Sequence, residues 1–195
     1  MNAWVDAVKR SGQLVVSAGA LAGAWSSVFT ESLRDFNALS RTHRLGVTLN
    51  QGEQASVVVA TADGEISATY DGVTRIGTLD GRIMHGRTLQ FSRDDRIEKA
   101  FVFLPTAPRI NTPRGQRPVG AGVLKVICVH ELVHACGLTN TEHTQDDLFQ
   151  ANPQVDPGTT ATQDRVRIQT RTRTSTMPPL VLGAETVRRI KELWG

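Results

Sequence analysis

Apolar residues recur at helical spacing in the first third of the chain. Successive apolar positions are separated by three, four or one residues, which predicts a helix with one apolar stripe. The members of the stripe are Leu21, Trp25, Val28, Phe29, Leu33, Phe36 and Leu39. An apolar run over residues 14–24 follows Lys9 and Arg10 and ends in Ala-Gly-Ala, which is the outline of a signal peptide. Because the stripe continues through that site, we favour the helix and keep the signal peptide as the alternative.

Short strands are predicted after this helix, where β-branched runs are closed by Asn, Asp and Gly. The runs cover residues 44–49, 55–60, 66–70 and 100–104, with weaker alternation over 73–97. Residues 105–118 contain four prolines and predict a surface loop. An apolar run over 119–137 predicts a second helix that ends at Gly137. Residues 138–175 are polar and irregular, and residues 184–194 predict a short terminal helix.

This order of elements predicts an α+β fold in a single domain over residues 1–195. We expect an upper lobe over 1–137, with the sheet and the second helix, and a lower lobe over 138–195. The composition, 39% hydrophobic and 21% charged, is typical of a globular protein. No run reaches the roughly 20 apolar residues of a membrane-spanning helix. The net charge of +3, from 22 basic and 19 acidic residues, is too small to predict a nucleic-acid partner. We expect a monomer without a membrane partner.

The two cysteines, Cys128 and Cys136, lie eight residues apart in one predicted helix. That separation is roughly 12 Å along a helix axis, whereas a disulfide requires Cα atoms within about 7 Å. The two thiols therefore cannot bond to each other. The absence of such a bond favours the cytoplasm as the compartment, with secretion left open.

The sequence His130-Glu-Leu-Val-His134 has a spacing that suits a metal site. Residues four apart on a helix are turned by only about 40°, so both imidazoles leave one face and can bind one ion. Glu131 is turned by about 100° from His130 and can serve as a general base toward a water on that ion. A chance occurrence of this pattern is expected on the order of one per cent of the time. The apolar turns before it predict a buried helix, in which charged groups require partners.

A third ligand has to come from outside the helix. Gly137 allows a sharp turn after it, and His143 follows six residues later. Imidazole is a better ligand for zinc than an amide, so we favour His143. Asn140 remains the alternative at a shorter spacing, together with Asp146 and Asp147.

The segment from His130 to His143 resembles the zinc-binding motif of the metzincin peptidases, H-E-x-x-H-x-x-G-x-x-H. Two further segments support the resemblance to the matrixin branch of that clan. Ser175-Thr-Met177-Pro178 resembles its Met-turn, and residues 182–195 resemble its closing helix. Ala24-Trp-Ser-Ser-Val28 is similar to the Trp-bearing first helix of matrixin catalytic domains. The family's third ligand stands six residues after the second histidine, where this chain has Asn140, so the resemblance implies three inserted residues before His143.

The resemblance implies a zincin fold with a mixed twisted sheet, an active-site helix and a C-terminal helix. It also implies one catalytic Zn²⁺ on His130, His134 and His143, with Met177 forming a hydrophobic floor beneath them. The strand over residues 100–104 resembles the sheet-edge strand that aligns extended peptides, which gives Phe101, Val102, Phe103 and Leu104 as candidate substrate-binding residues.

The expected activity is zinc-dependent hydrolysis of peptide bonds in an extended polypeptide, with Glu131 as the general base. The alternative is a weak or inactive metal-binding or interaction module on the same fold.

Overall fold

A computed structural model of the protein describes residues 1–169, 174–177 and 179–195. In these residues the α-helices are α1 Asp6–Ser11, α2 Trp25–His43, α3 Ala121–Ala135 and α4 Ala184–Trp194. The strands are β1 Ala3–Trp4, β2 Gln13–Ala18, β3 Thr48–Gln51, β4 Val57–Ala62, β5 Gly64–Tyr70, β6 Val73–Leu79, β7 Arg87–Arg93, β8 Arg96–Pro105, β9 Arg109–Thr112, β10 Gly115–Pro118, β11 Gln154–Asp156, β12 Arg165–Gln169 and β13 Thr174–Met177.

A six-stranded mixed sheet forms the centre of the fold. Its main path runs β1-β8-β4-β2-β3 with every neighbour parallel, and β7 pairs antiparallel with the other side of β8. Separate small sheets are formed by β5 with β6, by β9 with β10, and by β11, β12 and β13. The structure therefore confirms the predicted α+β class and the predicted mixed sheet.

The prediction that residues 101–104 form the edge of the sheet is wrong. Phe101 to Leu104 lie in β8, which pairs with β4 on one side and is covered on the other side by β7 as far as Phe103. Val102 and Leu104 are fully buried, because their β-branched and aliphatic side chains face the core. The edge strand is β7, whose outer side has no strand partner among the described residues.

The helix predicted from the apolar stripe is α2, and it starts at Trp25, later than the stripe predicts. Residues Gln13–Ala18 form β2 in the sheet interior, where Leu14 and Val16 are fully buried at alternate positions. A period of two over a short run favours a strand, and the glycines at 19 and 23 separate it from α2. Trp25, Val28, Phe29, Leu33 and Phe36 are buried on α2, as the stripe predicts.

Two other segments differ from their predictions. Arg44 takes the left-handed conformation that ends α2, so the strand expected over residues 44–49 begins only at Thr48. The expected loop over 105–118 contains the hairpin of β9 and β10, since its prolines lie outside the pairing or at its end.

Helix α3 is the most buried element, and it carries the metal-site motif. One hydrophobic cluster surrounds it and includes residues from both 1–137 and 138–195. The carbonyls at its C-terminal end accept hydrogen bonds from two indoles, Trp4 Nε1 to Ala135 O at 2.8 Å and Trp194 Nε1 to Cys136 O at 2.9 Å. These bonds satisfy carbonyls that a helix end leaves without intrahelical partners. Both cysteines are buried and free.

None of the described helices is both long enough and apolar enough to cross a lipid bilayer.

Candidate metal centre

Three histidine nitrogens converge where α3 meets the following loop. The Nε2 atom of His143 lies 3.2 Å from that of His130 and 3.1 Å from that of His134. Ligands at 2.0–2.1 Å in a tetrahedron around zinc are separated by roughly 3.3 Å. The spacing of the three nitrogens therefore fits a single divalent ion, and this histidine cluster could bind a metal.

Backbone carbonyls fix the orientation of two of the imidazoles. His130 Nδ1 donates to Leu148 O at 3.0 Å, and His134 Nδ1 donates to Leu138 O at 2.9 Å. A carbonyl only accepts, so each Nδ1 carries the hydrogen and each neutral ring keeps its Nε2 lone pair for a ligand. Burial lowers the pKa of His130 and of His134, and it lowers the pKa of His143 to about 4. The three rings are therefore held in the neutral form that binds metals.

Phe149 packs against all three imidazoles. Its ring centroid lies 5.0 Å from that of His130 and 4.7 Å from those of His134 and His143. This fully buried ring gives the site an apolar wall. The sequence pattern around Phe149 gave no signal for this position, because one aromatic residue in a polar segment has no periodicity to interpret.

Met177 is fully buried in the main core, at the end of β13. Of the segment Ser175-Thr-Met177-Pro178 that resembles a Met-turn, residues 175–177 are extended and pair with β12, Met177 opposite Val166. Pro178 lies outside the described residues. The role of Met177 as a floor beneath the imidazoles stays a prediction.

Gly137 makes the turn that the motif predicts. Its φ of +116° is a conformation that L side chains rarely adopt, and a Cβ would lie 2.2 Å from Asn2 O. After this turn, Asn140–Glu142 form a one-turn 3-10 helix, and His143 follows it directly. The residues directly before His143 are thus a compact helical turn. Asn140 is exposed at its start, whereas His143 supplies the nitrogen of the cluster.

Glu142 closes this short turn as a capping box. Its carboxylate accepts hydrogen bonds from Thr139 N at 2.6 Å and from Thr139 Oγ1 at 2.7 Å. Burial by itself would raise the pKa of Glu142, but these bonds outweigh it and lower the pKa to about 2. The fixed turn sets the direction in which His143 leaves the backbone.

Asp147 holds the loop that follows His143. Its buried carboxylate accepts hydrogen bonds from Phe149 N and from Gly183 N, both at 2.8 Å, and from Thr144 Oγ1. These bonds tie the loop of His143 and Phe149 to the start of α4. Because its oxygens are used in this way, Asp147 is a structural residue, and Asp146 is exposed.

Glu131 faces the edge strand β7 and the segment before it. Its Oε1 accepts a hydrogen bond from Gly86 N at 3.1 Å, and its Oε2 accepts one from Thr88 Oγ1 at 2.8 Å. Only glycine fits at position 86, since a Cβ there would lie 2.5 Å from Phe103 O and 2.8 Å from Glu131 Cγ. Burial raises the pKa of Glu131 to about 7, and the two hydrogen bonds act in the opposite direction.

The histidines and Glu131 open onto a cleft of about 850 Å³. One wall of the cleft includes Gly86 and residues 87–90 of the edge strand, and the other includes residues 138–141 and His143. Gln90, on the same face of β7 as Thr88, donates from Nε2 to His134 O at 2.8 Å. The edge strand is therefore fixed to α3 at two points. The sequence pattern predicts α3 but gives no signal for Gly86, Thr88 or Gln90, because strand β7 alternates only weakly.

Neither the models of known protein families nor the curated proteins searched give a match to this chain. A function for this chain is therefore inferred from the geometry and chemistry of its own residues.

Proposed function

We propose that this protein is a zinc-dependent metalloendopeptidase of metzincin, matrixin-like type. The observation that carries the proposal is the convergence of the three Nε2 atoms of His130, His134 and His143 in a cleft that Glu131 also lines. Two carbonyl-oriented imidazoles and an apolar wall are typical of a preorganised metal site. The glycine turn at 137 also supports the resemblance to the metzincin motif.

Zinc is the ion that we propose for this site. A set of three imidazoles suits zinc, although copper, iron and nickel also accept such ligands. Three protein ligands leave a fourth position open, as in catalytic rather than structural zinc sites. When bound, the ion supplies Lewis acidity that polarises a carbonyl oxygen and makes water acidic near neutral pH.

Glu131 is the group of this chain that moves a proton. With a pKa of about 7, its carboxylate accepts a proton from the attacking water and returns it to the departing amine. Thr88 and Gly86 hold both carboxylate oxygens while leaving further lone pairs for the proton. The chain thereby positions its base without consuming it as a ligand.

The edge strand β7 provides a means of binding an extended polypeptide. Its outer backbone groups have no strand partner among residues that the structure describes, so a peptide can add to the sheet by backbone hydrogen bonds. Residues 86–90 line the cleft beside Glu131 and the histidines, which puts such a peptide next to the proposed reaction centre.

The test is a digest of an unbiased peptide library by purified protein, with mass spectrometry of the products. We expect about one zinc per chain by elemental analysis, internal cleavage of peptides, loss of cleavage with a chelator and recovery when Zn²⁺ is added. A protein that is fully loaded with zinc but cleaves no peptide would instead be a metal-binding module on this fold.

Thr88 is expected to act as a positioning residue for Glu131. Thr88→Val keeps the shape of the side chain but removes the donor to Oε2, and we expect kcat to fall about tenfold with KM little changed. Thr88→Ser keeps the hydroxyl and is expected to restore most of kcat. Zinc content and thermal unfolding of both variants should match the wild type. Equal kcat values for the Val and Ser variants would contradict this role.

A further inference from the structure

Two arginines, on strands of different sheets, line the same cleft as Glu131. Arg75 lies on β6 and Arg87 begins β7, and both side chains are exposed where they line the cleft. Arg87 stands between Gly86 and Thr88, the two residues that bind the carboxylate of Glu131. Arg87 is therefore adjacent in the chain to both groups that bind Glu131, and its own side chain lies on the other face of β7 from that of Thr88.

Both guanidinium groups are held by packing. The Cζ atom of Arg75 lies 5.3 Å from the centroid of the Phe91 ring, a cation–π distance. Arg87 fills the space that glycine leaves at position 77, where a Cβ would lie 3.2 Å from Arg87 Nε. Arg75 and Gly77 are on one face of β6, about 7 Å apart. Arg87 thus packs against β6, the strand that carries Arg75, and Arg75 packs against Phe91 of β7.

No acidic group neutralises these two arginines within the described part of the chain. Neither forms an ion pair there, although other arginines do, such as Arg117 with Asp164 and Arg93 with Asp71. Among the described residues that line the cleft, the one carboxylate is that of Glu131, which is buried and already hydrogen-bonded. The rim of the cleft is consequently positive, and two neighbouring like charges favour binding of an anion.

We propose that Arg75 and Arg87 form a carboxylate-binding subsite, through which the cleft selects extended peptides with acidic side chains at alternate positions beside the cleaved bond. This inference rests on the proposed peptidase function. Side chains two residues apart in an extended peptide share a face and are about 7 Å apart, so two of them can face the same rim of the cleft. Arg forms bidentate hydrogen bonds with carboxylates, so Asp and Glu are the expected side chains.

The experiment compares two fluorescent decapeptides that contain Glu-Ala-Glu or Gln-Ala-Gln and are otherwise identical. Binding is measured by anisotropy with the zinc-loaded Glu131→Gln protein, so that the affinity does not depend on cleavage. We expect about tenfold tighter binding of the Glu peptide, decreasing at high salt. Adding Arg75→Gln and Arg87→Gln should abolish the difference. Adding Arg10→Gln and Arg41→Gln, which remove two exposed charges on α1 and α2 outside the cleft, should preserve it.

The other outcomes would contradict the subsite or the peptidase function. Equal binding of the two peptides, or a preference that survives the Arg75 and Arg87 changes, would overturn the subsite. Tighter binding of a single-stranded oligonucleotide of equal charge through the same arginines would overturn it in favour of nucleic acid. If the Glu preference depends on these arginines but wild-type protein cleaves neither peptide, the subsite stands and the peptidase proposal fails.

Discussion

Replacing Glu131 by Gln is expected to reduce peptide hydrolysis by about 10³-fold while the protein keeps its zinc and its fold. Gln has the same shape as Glu but cannot accept the proton of the attacking water, and general-base catalysis contributes about 10²–10⁴-fold. Its carbonyl oxygen can still accept the hydrogen bond that Thr88 donates to Glu131. The measurement is kcat/KM on a library-selected peptide, together with zinc content and the thermal unfolding midpoint.

The matched control is Glu65→Gln, an identical change at an exposed position of β5. It alters the net charge by the same amount and should leave kcat/KM unchanged. Full activity of the Glu131→Gln protein at normal zinc content would remove Glu131 from the mechanism. Loss of zinc together with activity would instead assign it to the metal site.

Replacing His143 by Ala is expected to weaken zinc binding by more than about 100-fold. The change removes one of the three converging nitrogens. Losing only a group that hydrogen-bonds to a metal ligand already weakens metal binding roughly 10–100-fold, so losing a ligand itself should cost more. Because an ion that binds only the folded state stabilises it, the zinc-dependent increase in the unfolding temperature should largely disappear. Zinc affinity by competition with a chelating dye and unfolding with and without zinc measure the two effects.

Asn140→Ala is the comparison that decides the third ligand. Asn140 is exposed at the start of the 3-10 turn, so its replacement should leave zinc affinity within about twofold of the wild type. If Asn140→Ala loses zinc and His143→Ala retains it, Asn140 rather than His143 is the third ligand. The unfolding temperatures without zinc show whether either change disturbs the loop itself.

The sequence predicted the elements whose side chains repeat with a clear period. Helix α2 buries most of its stripe and α4 buries Ile190, Leu193 and Trp194, whereas Leu39 and Val187 are only partly buried. Helix α3 was predicted from an unbroken apolar run, and most of its residues are buried. Strand β2 and the hairpin of β9 and β10 were missed because short runs with Gly or Pro are locally ambiguous. Their conformation depends on strand partners far away in the chain, such as β3 and β4 for β2.

The histidine pair of the site could be found from the sequence, because residues four apart on one helix share a face whatever surrounds that helix. The sequence also limited the candidates for the third ligand to a few residues after Gly137, because the glycine marks where the chain can turn. Tertiary structure alone decided that His143 completes the cluster, that Phe149 packs on the rings and that β7 rather than β8 forms the sheet edge. These features depend on contacts between residues distant in the chain, and local spacing carries no information about which distant segments will pack together.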